Sequence, residues 1–94
     1  MIVEWDDRKA AENEAKHGVS FEEAVTVLES PLSLTFRDLD HEVEESRFLT
    51  FGHDGSGRIL VVAHTDRGEA VRLISARHAT RAERRQYEEG KPRE

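Results

Sequence analysis

Residues 47–77, RFLTFGHDGSGRILVVAHTDRGEAVRLISAR, decide how the fold is read. Three runs rich in aliphatic, aromatic and β-branched residues, Arg47 to Gly52, Arg58 to Thr65 and Ala70 to Ala76, are separated by two groups of turn formers. The first group, Gly52-His53-Asp54-Gly55-Ser56-Gly57, and the second, Thr65-Asp66-Arg67-Gly68-Glu69, both predict hairpins. Ile59 to Ala63 and Val71 to Ile74 carry apolar residues on both faces, which suggests central strands of the sheet. Further towards the N-terminus, Leu32, Leu34 and Phe36 alternate with Ser33, Thr35 and Arg37, the period of one more half-exposed strand. Four strands in an antiparallel meander follow.

Outside this block the period becomes helical. Ser20 and Glu23 have capping-box spacing, and Phe21, Ala24, Val25 and Leu28 recur at i, i+3, i+4 and i+7, until Pro31 ends the helix. A weaker helix over residues 7–17 starts after Asp6, a side chain able to cap it, and stops at Gly18. Ile2-Val3-Glu4-Trp5 reads as a short strand before it. Thr80 and Glu83 repeat the capping box at the C-terminal side, opening a helix that Gly90 and Pro92 close. The expected architecture is α+β: an antiparallel β-sheet with helices packed on one face. One domain over residues 1–90 is expected, with a charged tail over 91–94.

Composition narrows the chemistry. The chain has 94 residues, 36% of them apolar and 36% charged, so the core is small and the surface densely charged. The absence of cysteine excludes disulfides, thiolate nucleophiles and Cys-based zinc sites. His17, His41, His53, His64 and His78 form neither HxH nor HExxH, so neither a metal nor a cofactor is expected. There is no P-loop, GxGxxG or GxSxG pattern. No apolar run is long enough to span a membrane and the first residues carry no secretion signal, so a cytoplasmic protein without membrane contact is expected. The formal net charge of -6 is divided unevenly: residues 1–57 hold 5 basic against 14 acidic side chains, whereas residues 58–85 hold 7 arginines against 3 acids. Such asymmetry suits an acidic half facing a basic partner and a basic half facing an anion.

Two groups of residues can carry chemistry. Arg72, Arg77, Arg81, Arg84 and Arg85 run from the last strand into the last helix, where Arg81, Arg84 and Arg85 share one face. Guanidinium groups hold phosphate oxygens in bidentate fashion and stabilise charge developing on phosphorus; the alternative for the same residues is ion pairing with the many carboxylates. The second group is His41, Glu45 and Arg47, in or beside an acidic stretch with five carboxylates over residues 38–45. A carboxylate or imidazole there can act as general base towards a ribose 2′-hydroxyl, and the alternative is a solvated acidic loop. Lys16 and His17 stand at the negative end of the first helix dipole.

Taken together, Trp5-Asp6, Lys9, Asn13, the KHGVSF block from Lys16 to Phe21, Glu23-Ala24, His41, Arg47, Gly52, Gly57-Arg58, the ISAR block ending at Arg77, Ala79-Thr80, Glu83-Arg84 and Tyr87 closely resemble the BrnT family of bacterial toxins. The resemblance spans almost the whole chain. It implies a RelE-like two-layer fold, metal-independent RNA cleavage that inhibits translation, and neutralisation by a BrnA-like ribbon-helix-helix antitoxin. Operator DNA would be contacted only through that antitoxin. By the same resemblance Arg77 is expected to stabilise the transition state, Glu45 or His41 to accept the 2′-hydroxyl proton, and Lys16 and Arg47 to hold phosphate; the arginine run read from the residues themselves adds Arg72, Arg81 and Arg84 as expected RNA contacts. The chain departs from the family pattern at Glu42 and His78, where the pattern has Ser and Arg. The alternative function is a catalytically silent module working only within a DNA-binding repressor complex.

Overall fold

The computed structural model describes residues 1–40 and 46–90. The elements are β1 (Ile2–Glu4), α1 (Asp7–His17), α2 (Phe21–Glu29), β2 (Leu34–Arg37), β3 (Arg47–His53), β4 (Ile59–Arg67), β5 (Ala70–His78) and α3 (Arg81–Glu89). Their ends follow local chemistry. Asp6 accepts from the amides of Arg8 and Lys9 to start α1, and Gly18, at a φ of 70°, takes the left-handed conformation that closes it. The capping boxes Ser20/Glu23 and Thr80/Glu83 are both formed. Gly68, at a φ of 61°, provides the positive φ required by the two-residue turn between β4 and β5.

The sheet order is β1-β5-β4-β3-β2. β2 to β5 form the expected antiparallel meander, while β1 adds to the outer edge of β5 in parallel, Ile2 opposite Ala70 and Glu4 opposite Arg72. The sheet is therefore mixed. β1 covers only the first three residues of β5. Where it stops, Asn13 of α1 takes over: its side-chain amide donates to the Ala76 carbonyl at 2.9 Å and to that of Val19 at 2.9 Å, and its carbonyl accepts from the Ala76 amide at 3.0 Å.

Strand alternation splits the apolar residues between two faces. Leu60, Val62, Leu73 and Ala76 meet Phe21, Ala24 and Val27 under α1 and α2, with Trp5 edge-on to Phe21. Leu49, Phe51, Val61 and Ala63 point the other way. That second face is where α3 makes its contact: Tyr87 and Ala79 pack against it, and the Tyr87 hydroxyl donates to the Leu32 carbonyl at 3.0 Å. The helices thus divide, two covering one face and α3 touching the other, because Tyr87 is the large apolar side chain that α3 has to offer. A polar chain crosses the helix-covered side, from Thr35 through Thr50 to His64 Nε2, with both oxygen contacts at 2.7 Å. Gly52 lies beneath α2, where a Cβ would stand 3.1 Å from Ser33 Cβ and 3.2 Å from Val27 Cγ1.

Candidate phosphate-binding cleft

The register sets one end of the sheet in a row: His53 on β3 is opposite Ile59 on β4, and Ile59 accepts from the amide of Ala79 just beyond β5. Asp54 fixes the intervening hairpin. Its Oδ1 accepts from the amides of Ser56 and Arg58, both at 2.9 Å, and its Oδ2 from Arg58 Nε at 2.8 Å. Burial acts to raise the Asp54 pKa, but the hydrogen bonds from Arg58 and Ser56 outweigh it and hold the carboxyl down at about 2. Arg58 also pairs with Glu23 of α2, so the hairpin is tied to the helical layer.

α3 forms the opposite wall. Arg81, Arg84 and Arg85 line, with His53, Arg58, His78 and Glu88, an open cleft of about 630 Å³ at the end of the sheet. The His53 ring stands edge-on to Tyr87 at 5.5 Å. Among the described residues, Arg81, Arg84 and Arg85 form no ion pair with a carboxylate. Among the described residues these three permanent positive charges on one helical face have no carboxylate counterion, an arrangement that can hold phosphate oxygens.

Arg77 is differently engaged. On β5, opposite Val61, its Nη1 and Nη2 donate to the two oxygens of Glu83 at 2.7 and 2.9 Å, and Nη1 also reaches the His78 carbonyl at 3.2 Å. The hydrogen bonds from Arg77, joined by those from Thr80, overcome burial and hold Glu83 at about 2. Arg77 therefore braces the first turn of α3. Arg72 pairs with Glu4 at 3.5 Å.

Register separates the remaining candidates from the cleft. Arg47 and Arg72 flank Thr65 on neighbouring strands, at the end of the sheet away from His53. Six residue steps along β3 separate Arg47 from His53, about 20 Å, too far for one phosphate. Lys16 lines a separate shallow groove with Lys9, Asn13 and Ser75. His41 and Glu45 lie outside the described residues. Among the described residues no cluster of His, Asp and Glu could hold a metal ion. His53, Arg58 and His78 belong to the cleft but were not singled out from sequence. The available signal was their position at the ends of three adjoining strands, which becomes visible only when the register is known.

The chain matches, over residues 5–83, the family described as ribonuclease toxin, BrnT, of type II toxin-antitoxin system. Among solved structures it is similar to the 1.1 Å crystal structure of the Brucella abortus ribonuclease toxin BrnT, with a TM-score of 0.67 and 27% identity, covering 86% of this chain and 99% of that one. No curated protein matches the chain.

Proposed function

The chain belongs to the BrnT family of type II toxin-antitoxin ribonuclease toxins, and from this premise we propose that it is an endoribonuclease that cuts RNA without a metal ion and thereby blocks translation. A BrnA-like ribbon-helix-helix antitoxin neutralises it and alone carries the complex to operator DNA. The observation that carries this reading is the cleft whose three α3 arginines have no carboxylate partner among the described residues. In metal-independent cleavage the ribose 2′-oxygen attacks the adjacent phosphorus, and fixed positive charge stabilises the extra negative charge of the phosphorane. Arg81 and Arg84 supply that charge, with Arg77 bracing the helix that bears them. Lys16, Arg47 and Arg72 lie outside the cleft and hold flanking phosphates of a longer strand. The acidic N-terminal half gives a basic antitoxin segment a complementary surface.

The test is incubation of the purified chain with RNA in EDTA, with and without its antitoxin, beside induced expression in a bacterial host. Cleavage that persists in chelator and stops on addition of antitoxin, together with growth arrest, supports the reading. A specific observation favours the second reading, a silent module within a repressor complex: the guanidinium of Arg77 is occupied by Glu83. Intact RNA and undisturbed growth with a folded protein would establish that reading instead.

A further inference from the structure

Arg77 spends only part of its guanidinium on the protein. Such a group carries five N–H donors in a rigid plane. In Arg77 one on Nη1 and one on Nη2 go to the two oxygens of Glu83 at 2.7 and 2.9 Å, and the second on Nη1 goes to the His78 carbonyl at 3.2 Å. Glu83 thus covers the edge between the two Nη atoms. The other edge, formed by Nε–H and the outer Nη2–H, has no partner among the described residues. That edge is a parallel pair of donors, the fork that matches two oxygens of a phosphate. It is also open: His64 Nδ1 is the buried side-chain polar atom without a partner among the described residues, so the equally unpartnered Nε of Arg77 reaches solvent, and its side chain is 35% exposed. Glu83 is itself held. Its Oε1 accepts from the Thr80 amide at 2.9 Å, and its own amide donates to Thr80 Oγ1 at 3.1 Å. The plane of the guanidinium is therefore set by the first turn of α3, the helix that carries Arg81, Arg84 and Arg85. Arg77 is not in the lining of their cleft, so a phosphate on its open edge is distinct from one held there. Bracing α3 needs only the covered edge, and the fold leaves the other unused.

We propose that Arg77 binds a phosphate of the RNA strand through its Nε–H and outer Nη2–H, and that Glu83 is the positioning residue that holds this edge out for it, an inference that rests on the ribonuclease reading above for its ligand. Glu83 then does not compete with RNA for Arg77, because carboxylate and phosphate sit on different edges of one guanidinium. The carboxylate stays ionised at neutral pH, so it offsets much of the charge on Arg77. What Arg77 offers the strand is two aligned donors, whereas Arg81, Arg84 and Arg85 offer charge without a carboxylate counterion among the described residues. A lysine in this place could pair with Glu83 but has no second edge. A phosphate gripped by two oxygens is fixed in orientation as well as place, which sets the register of the strand against the neighbouring cleft.

The experiment uses the full chain, labelled with nitrogen-15 for NMR, and a single-stranded 2′-O-methyl oligoribonucleotide, which lacks the attacking hydroxyl and is not cut. The Arg77 Nε–H signal is identified by its absence from Arg77→Lys. On titration it should move downfield and exchange more slowly with water, as an N–H does on donating to phosphate. A signal unmoved at saturation would overturn the inference. Arg77→Lys keeps the charge and a partner for Glu83, and should weaken binding about 10-fold with the salt slope unchanged; equal affinity would likewise overturn it. Glu83→Gln separates positioning from competition. At a salt concentration that screens the added positive charge, it should bind about 3-fold or more weakly and show a smaller movement of the Nε–H signal. Circular dichroism should show it folded, and a salt slope no smaller than that of the unaltered chain should show the α3 arginines still in place. Equal or tighter binding by Glu83→Gln would mean that Glu83 withholds Arg77 from RNA or leaves it indifferent, and would remove the positioning role. Cleavage of ordinary RNA by the unaltered chain, run beside these titrations, tests the ribonuclease reading by itself: intact RNA with a shifted Nε–H signal would sink that reading and leave the phosphate contact standing.

Discussion

The side-chain amide of Asn13 pairs with both backbone groups of Ala76, 63 residues further along the chain, and so acts as a strand neighbour where β1 has ended. An open strand edge offers unpaired amides and carbonyls to other chains. Here one buried side chain closes that edge and also holds the Val19 carbonyl, which places α2.

Asn13→Ala should therefore cost about 2 to 4 kcal/mol, since it leaves buried backbone groups unpaired. For a domain of this size that lowers Tm by roughly 10 to 20 °C. Asn13→Asp should be at least as damaging, because a carboxylate cannot donate to the two carbonyls. A thermal melt checks both, and an unchanged Tm in Asn13→Ala would remove the edge-closing role.

Gly52→Ala should destabilise by about 1 to 3 kcal/mol, because the new methyl meets Ser33 and Val27 at 3.1 and 3.2 Å. Urea denaturation should show a lower midpoint with unchanged slope, the signature of an altered native state. A midpoint equal to that of the unaltered chain would mean that α2 shifts freely above the sheet.

Two windows of acid sensitivity are expected. Burial lowers the pKa of His64 from its ordinary 6.5, so the unfolded chain takes up that proton first and stability declines as pH falls below about 6.5. Glu83 and Asp54, each held at about 2, contribute stability that is complete above their unfolded values near 4.5 and 3.8 and is lost as pH falls towards 2. The Glu83 side chain is 13% exposed but Arg77 is 35% exposed, so solvent screening reduces this share to about 1 to 2 kcal/mol. Stability measured against pH in Glu83→Gln should lose part of the lower window only. Loss of the upper window in that variant would contradict the assignment.

Single replacement of Arg81, Arg84 or Arg85 by Ala should weaken binding of single-stranded RNA and reduce the slope of log K against log salt by about 0.7 each. Arg58→Ala should instead act mainly on stability, since Arg58 is paired with Asp54 and Glu23. Binding titrations at several salt concentrations check this, and an unchanged slope in all three α3 variants would remove phosphate from the cleft.

The elements were legible where the signal was local. Ser20/Glu23, Thr80/Glu83 and Gly18 mark helix ends within a few residues of themselves, and the two turn groups mark the hairpins. The partner of β1 was not, because three residues carry no trace of which distant strand they join or in which direction. Nor was the face taken by α3, which depends on one aromatic side chain. The basic character of the region after Arg58 was readable, but which arginines are ion-paired was not: Arg77 and the α3 arginines differ in the positions of carboxylates set by folding. His53 read as part of a turn until the strands were aligned.

The parallel pairing of β1 with β5 also sets the timing of folding. During synthesis Ile2 is made long before its partner Ala70, and at about 5 to 20 residues per second the first strand waits several seconds for the one it joins. Asn13 waits almost as long for Ala76, 63 residues further along. The sheet cannot be completed on a partly made chain, and the cleft is assembled only once β5 and α3 have both been synthesised.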